Sequence, residues 1–394
     1  MSSVPAFRSW HQVTPVLAFN DPREVWATQP TFLIAELLFL FLAIVGLADA
    51  AKRPRGFLTF VSCLVGGAAV ELVTILHGEV GNFYHSQATI MLFGRREPLY
   101  MLLGCYGWIA HAAMLLTQRL GGSSISMACY AALLGSEAWA LLDTVGARFI
   151  WWHWHNSEPL YDDREGGVPV ASSFWIMASM GSLALALLRC PDQPIAGLLV
   201  GPIATLGLMH IPFLVLFHPL VTFAGLHASY AMWSFRIACA LPLLPRLVPP
   251  ARARPDAKVL AHILLFVGCM CLIACLGDPS SERRTSYAQA CIRKSRGGEL
   301  ESSFWGGFER RAFVSSALNM PDEDLYQLCD PRCDKANEPL DWYTTCGVAS
   351  DGLGFQLLIL AHAAVVVLLA LLPFDGGIPM KSAAGVSSRT KKKD

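Results

Sequence analysis

Long apolar runs alternate with short polar stretches along this chain. Nine of the runs are long enough to cross a bilayer, near 31–50, 57–77, 99–117, 127–149, 170–189, 195–217, 219–243, 259–277 and 353–373. A helix needs about 20 apolar residues to span the hydrocarbon. The pattern predicts an all-α integral membrane protein with about nine transmembrane helices. One long polar insert, 278–352, interrupts it. The expected layout is a tail at 1–28, an eight-helix core over 29–277, the insert, a last helix at 353–373 and a basic tail at 374–394.

Composition supports this class. Hydrophobic residues make up 54% of the chain and charged ones 15%, a balance foreign to ordinary water-soluble domains. The formal net charge is zero, which removes bulk attraction to nucleic acid. Residues 1–28 lack the basic-then-apolar order of a cleavable signal peptide and carry Trp10 and Trp26, residue types that anchor at interfaces.

Three features orient the chain. Short basic loops stay cytoplasmic, and Lys52, Arg53 and Arg55, then Arg246, Arg252, Arg254 and Lys258, fall on one side by alternation. The insert then lies on the opposite, luminal side, where its Cys291, Cys329, Cys333 and Cys346 form disulfides in one of three pairings. A zinc site using Cys329 and Cys333 is the rival reading. The ending Lys391-Lys392-Lys393-Asp394 resembles the dilysine retrieval signal of endoplasmic reticulum membrane proteins, with Lys391 and Lys392 in the signal positions. It reads equally as a basic tail near anionic lipid. The expected location is the endoplasmic reticulum membrane, with the N-terminus luminal and the C-terminus cytoplasmic.

Two polar, aromatic-rich stretches follow spans that run outward. Each span carries an acid, Glu71 and Asp143, and a charged carboxylate in hydrocarbon is costly unless it is paired or protonated. Arg148, five residues beyond Asp143, is a candidate ion-pair partner. The first loop holds His77, Glu79, Tyr84 and His85, ending at Pro98. The second holds Trp151, Trp152, His153, Trp154, His155, Glu158, Tyr161 and Asp162, ending at Pro169. Regions of about 60–108 and 130–175 thus form an imperfect parallel repeat, and repeats often place a site at their interface. The candidate catalytic residues are Glu71, Asp143, His77, Glu79, Tyr84, His85, His153, His155, Glu158, Tyr161 and Asp162. Trp108, Trp152, Trp154 and Trp175 are the candidate cavity lining.

Imidazole and carboxylate together suit zinc or iron. The HxxxH, HxxHH and HExxH boxes of membrane oxygenases and zincins do not occur, so no metal ligands are assigned. The tryptophans also suit an interfacial belt, and His210, His218, His227 and Arg236, in a stretch interrupted by Pro202, Pro212 and Pro219, suit either one wall of a cavity or packing.

Asp143, Trp152, Trp154, Tyr161, Gly167-Val168-Pro169 and Phe174-Trp175, with the earlier Glu71, Gly78, Gly81 and Tyr84, resemble the carotenoid biosynthesis membrane proteins that include the carotenoid 1′,2′-hydratases. The resemblance covers about residues 60–180. The family's Asn-Phe after Gly-Val-Pro is replaced by Ser173-Phe174, and the first copy has Arg96-Glu97-Pro98 in place of Gly-Val-Pro. The whole chain looks like a eukaryotic multi-pass membrane family sharing that core. The resemblance implies acid-catalysed addition of water to an isoprenoid double bond, with Glu71 or Asp143 as acid and Tyr84, His153, His155 and Asp162 ordering the water. That reading needs no cofactor. Its partner is a membrane lipid or isoprenoid, and a protein partner of the insert stays unspecified. The competing expectations are a proton-coupled transporter or lipid-binding protein, and a receptor-like protein acting through the insert.

Overall fold

A computed structural model describes residues 16–76, 83–120, 122–189, 194–246, 256–293, 300–302, 309–314, 325–349 and 352–372. Trp10, His77, Gly78, Glu79, Gly81, Lys391 and Lys392 lie outside the described residues. The helices are α1 Pro22–Thr28, α2 Pro30–Ala50, α3 Gly56–Leu76, α4 Ala110–Leu120, α5 Ser124–Arg148, α6 Val170–Arg189, α7 Pro194–Leu208, α8 His210–Pro212, α9 Ala228–Ala240, α10 Ala257–Leu276 and α11 Leu353–Ala370. The strands are short: β1 Leu17–Phe19, β2 Phe83–His85, β3 Ile90–Leu92, β4 Glu97–Pro98, β5 Trp152–Trp154, β6 Arg164–Glu165, β7 Val168–Pro169, β8 Arg283–Cys291, β9 Leu300–Ser302, β10 Glu309–Arg311, β11 Tyr326–Leu328 and β12 Leu340–Gly347.

Seven helical segments among the described residues are long and apolar enough to cross a membrane: Pro30–Ala50, Gly56–Ile75, Ser124–Arg148, Val170–Arg189, Gly201–Phe223, Ala257–Leu276 and Leu353–Ala370. Their outer faces present large apolar side chains such as Ile44, Ile203, Val215, Leu272 and Leu368, each more than half exposed. A continuous apolar girdle of that kind is at home against lipid. Two of the nine runs depart from the expected spans. The run at 99–117 is helical but enters as a π-helix, Met101–Ile109, that continues into α4. The run at 219–243 is not one helix. Pro212 and Pro219 lack the amide that an α-helix needs, and the chain there winds as π-turns, Phe213–Phe217 and Pro219–Phe223. It then breaks before the shorter apolar helix Ala228–Leu244.

α5 is the hub, touching α4, α6, α9, α10 and α11. Small residues allow its closest approach: a Cβ on Gly135 would meet Met180 of α6 at 2.8 Å, and one on Gly181 would meet Ala132 at 3.2 Å. Glu137 of α5 binds Arg236 of α9 at 2.9 Å and His362 of α11 at 3.0 Å, so the half-buried cation of α9 serves a helix junction. At the end bearing the basic loop, Asp256 caps α10 and also binds Arg53 and Arg119, each at 2.8 Å.

The opposite end carries a cap. The segment expected as a free tail is part of it from residue 16 on: β1 pairs antiparallel with β3, which pairs with β4, and Val25 of α1 is buried. β2 and β5 pair antiparallel, joining the two acid-bearing halves, and β6–β7 form a hairpin before α6. In the insert, β12 lies between β8 and β11. Cys291 pairs with Cys333 and Cys329 with Cys346, which selects one of the three possible connectivities. The pairs cross-link a small core of Cys291, Val314, Cys333 and Tyr343, compensating for how little apolar surface it buries.

A candidate functional site beneath the cap

The two acids lie at equal depth. Glu71 is five residues before the end of α3 and Asp143 five before the end of α5, about 7.5 Å along each helix. Both line one hollow of about 110 Å³ between α3, α5, α6 and α7. Its walls are mostly apolar and aromatic: Trp139 from one turn before Asp143, Trp175 of α6, and Phe83, Trp154 and Tyr161 from the cap. Val73, 44% exposed, lies on its rim.

The chain turn that delivers the lid is strained. Ile150 has φ 51°, an unusual conformation for a β-branched residue. Trp151 N donates to Gly146 O at 2.8 Å, closing the end of α5 and sending the chain directly into β5. Gln29 braces the turn by donating to Phe149 O and Ile150 O, while Ser86 donates its hydroxyl to Gln29 Oε1.

Strand alternation then sorts the sequence candidates. β2 and β5 pair Phe83 with Trp154, Tyr84 with His153 and His85 with Trp152. Phe83, His85, Trp152 and Trp154 face the helices. Tyr84, His153 and His155 face the insert. His85 reaches Glu71 Oε1 at 3.0 Å and Glu97 Oε2 at 3.2 Å. Tyr106, supplied by the π-helix, donates to Glu71 Oε2 at 2.6 Å. Such π-turns recur at functional sites. Burial works against a charged His85, but Glu97 and Glu71 overcome it and raise its pKa. Burial and the Glu71 charge raise that of Glu97 against the pull of His85. Asp143 has no hydrogen bond or ion pair among the described residues and is 2% exposed. Arg148 points elsewhere, over the Phe355 ring at 5.8 Å, so the expected Asp143–Arg148 pair does not form.

Several expected site residues have other work. Arg284 of the insert, 1% exposed, donates to Tyr84 O at 2.7 Å and to His153 Nδ1. An arginine cannot accept, so His153 is the neutral tautomer with its proton on Nε2, donating to Gln289 Oε1 at 2.9 Å. Glu158 binds Arg310 at 3.3 Å, and Glu301 approaches Arg310 at 2.8 Å and His155 at 3.9 Å. Asp162 is exposed. Tyr84, His153, His155 and Glu158 are therefore the platform on which the insert docks, not the cavity's chemistry. Two tryptophans also move out of the lining. Trp152 packs on Gly146, where a Cβ would come within 2.3 Å of its ring, and Trp108 lies between Gly46 of α2 and Phe266 of α10. Glu97, Tyr106, Trp139 and His210 were not assigned to the site from sequence. Glu97 carried a usable signal there, as the acid beside Pro98 in the first copy, and so did His210, in the proline-interrupted stretch expected either to wall a cavity or to pack.

Two predictions follow from these contacts. A Cβ on Gly67 of α3 would fall 2.2 Å from the Tyr106 ring. Gly67→Ala is expected to push Tyr106 off Glu71 at a cost of about 1–3 kcal/mol. Thermal unfolding in detergent reads it, and an unchanged midpoint removes the argument. The second concerns pH. Burial and the neighbouring arginines hold His153 and His155 well below the ordinary 6.5. Burial pushes Glu282, which accepts from the Thr31 hydroxyl at 2.7 Å, up to about 7 from 4.5. Undocking the insert frees two imidazoles that take up protons below 6.5, against one carboxyl that gives one up above 4.5. The undocked state thus binds about one more proton across that window, and docking weakens by about 1.4 kcal/mol per pH unit on acidification. Hydrogen-exchange protection of 283–291, corrected for the intrinsic slowing of exchange in acid, should be lower at pH 5 than at pH 7.

No curated protein and no solved structure matches the chain. Residues 12–192, which hold both acids, Glu97, Tyr106 and both lid strands but none of the insert, match the family model described as "Domain of unknown function (DUF7802)".

Proposed function

We propose that this protein is a membrane enzyme that adds water to an alkene of an isoprenoid or other lipid. In this reading all nine apolar runs cross the membrane, the cap is luminal and the membrane is that of the endoplasmic reticulum. The observation that carries it is the pair of buried carboxyls facing one aromatic hollow, only one of them tied to partners among the described residues.

The two acids divide the work. Glu71 is held on both oxygens, by Tyr106 and His85, and acts as the base. Asp143, in its protonated form, is free to give up its proton. That proton goes to the less substituted alkene carbon, forming a C–H bond and a tertiary cation. The faces of Trp139, Trp154, Tyr161 and Trp175 shield the cation. Water attacks it, the new C–O bond forms, and Glu71 takes the released proton. Return of that proton to Asp143 resets the site.

The test is incubation of the detergent-purified protein with acyclic carotenoids and polyprenyl lipids, following product mass. A gain of one water, lost in Glu71→Gln, supports the assignment. No such gain with any of them, where a known hydratase is active, sinks it. Proton flux through liposomes without product would instead place the acids in a transporter.

A further inference from the structure

We infer that Glu71, His85 and Glu97 form a binding site for one divalent first-row metal ion, of the zinc or iron(II) class, at the inner wall of the hollow. The side chains of His85 and Glu97 are fully buried and that of Glu71 is 6% exposed. One donor atom from each lies within 4.8 Å of the others. The three come from α3, β2 and β4, so the cap must fold before they meet.

Two observations point to a cation rather than to a self-contained hydrogen-bonded triad. The imidazole Nε2 carries at most one N–H, and it aims at Glu71 Oε1 at 3.0 Å. Glu97 stands 3.2 Å from the same nitrogen, outside hydrogen-bond geometry, and neither of its oxygens has a hydrogen-bond partner among the described residues. A fully buried carboxyl left in that state is costly. An ion among the three answers both atoms at once. Bonds of about 2.0–2.1 Å in a tetrahedral shell place neighbouring ligand atoms about 3.3 Å apart, close to the 3.0 and 3.2 Å that separate His85 Nε2 from the two carboxylates.

Charge balance agrees. Two carboxylates and a neutral imidazole compensate a doubly charged ion completely. Nitrogen with carboxylate oxygen favours zinc or iron(II) over magnesium or calcium. Tyr106, bonded to Glu71 Oε2 at 2.6 Å, orients that ligand as an outer-shell donor does. Of the three ligands Glu71 also lines the hollow, which it shares with Asp143. The site stands whether or not the lipid is hydrated.

The experiment uses the full chain in detergent, stripped with chelator, dialysed and titrated with Co²⁺. One Co²⁺ per chain, with visible d–d bands, is expected. Glu97→Gln and His85→Gln should each lower the affinity at least tenfold, while Asp143→Asn retains it. X-ray absorption of the wild-type complex should give nitrogen and oxygen neighbours and no sulfur, which tests the ligand set even if a variant fails to fold. Wild-type protein that binds no Co²⁺, a sulfur shell, or undiminished binding in both folded ligand variants would overturn the site.

Discussion

On the proposed reading, Asp143→Asn is expected to reduce hydration of the lipid alkene by about 10²–10⁴-fold, the usual worth of a positioned general acid. The substitution keeps the size of the side chain and removes only its transferable proton. Asp143 binds no partner among the described residues, so no ion pair is lost and the thermal midpoint should stay close to that of the wild type. Product formation per unit of protein is the measurement. Retained turnover would move the proton donor elsewhere. A lost midpoint would recast Asp143 as structural. Glu71→Gln should also lose turnover but lower the midpoint as well, since Tyr106 and His85 both depend on that carboxylate.

Arg284→Ala should give the largest loss of stability. Arg284 is buried, reaches the Tyr84 carbonyl and meets His153. Removing it strands both acceptors under the insert and leaves the volume of the side chain empty. About 3–5 kcal/mol is expected, from two buried acceptors losing their donor and from the cavity left by the side chain. The loss should appear as rapid proteolysis of the insert and a fall in the unfolding midpoint. Tyr84 is followed directly by His85, so loosening it also loosens the contact of His85 with Glu71. Turnover should therefore drop although Arg284 lies outside the hollow. A midpoint within a degree or two of wild type would show that the insert is held by other means.

Much of this was legible along the chain. Apolar runs of helical length, an acid in each of two outward spans and the four cysteines of the insert follow from local composition, because hydrocarbon imposes length and polarity on whatever crosses it. The third and seventh runs were less legible. Whether apolar sequence winds as α, as π or breaks depends on the prolines at 212 and 219 and on the packing of neighbours.

What the amino-acid order determined by itself is the helix-rich membrane class and the presence of Glu71 and Asp143 near one end of their helices. What only the tertiary structure decided is which loop residues join them. His85 and His153 look equivalent as written, yet they occupy opposite faces of paired strands, one meeting Glu71 and the other Arg284. The register of two three-residue strands makes that division. Register is a long-range property, and a shift of one residue would exchange every inward side chain for an outward one. Glu97 joins for the same reason: only the pairing of β3 with β4 brings it to His85, and nothing in its own neighbourhood of the chain records that meeting.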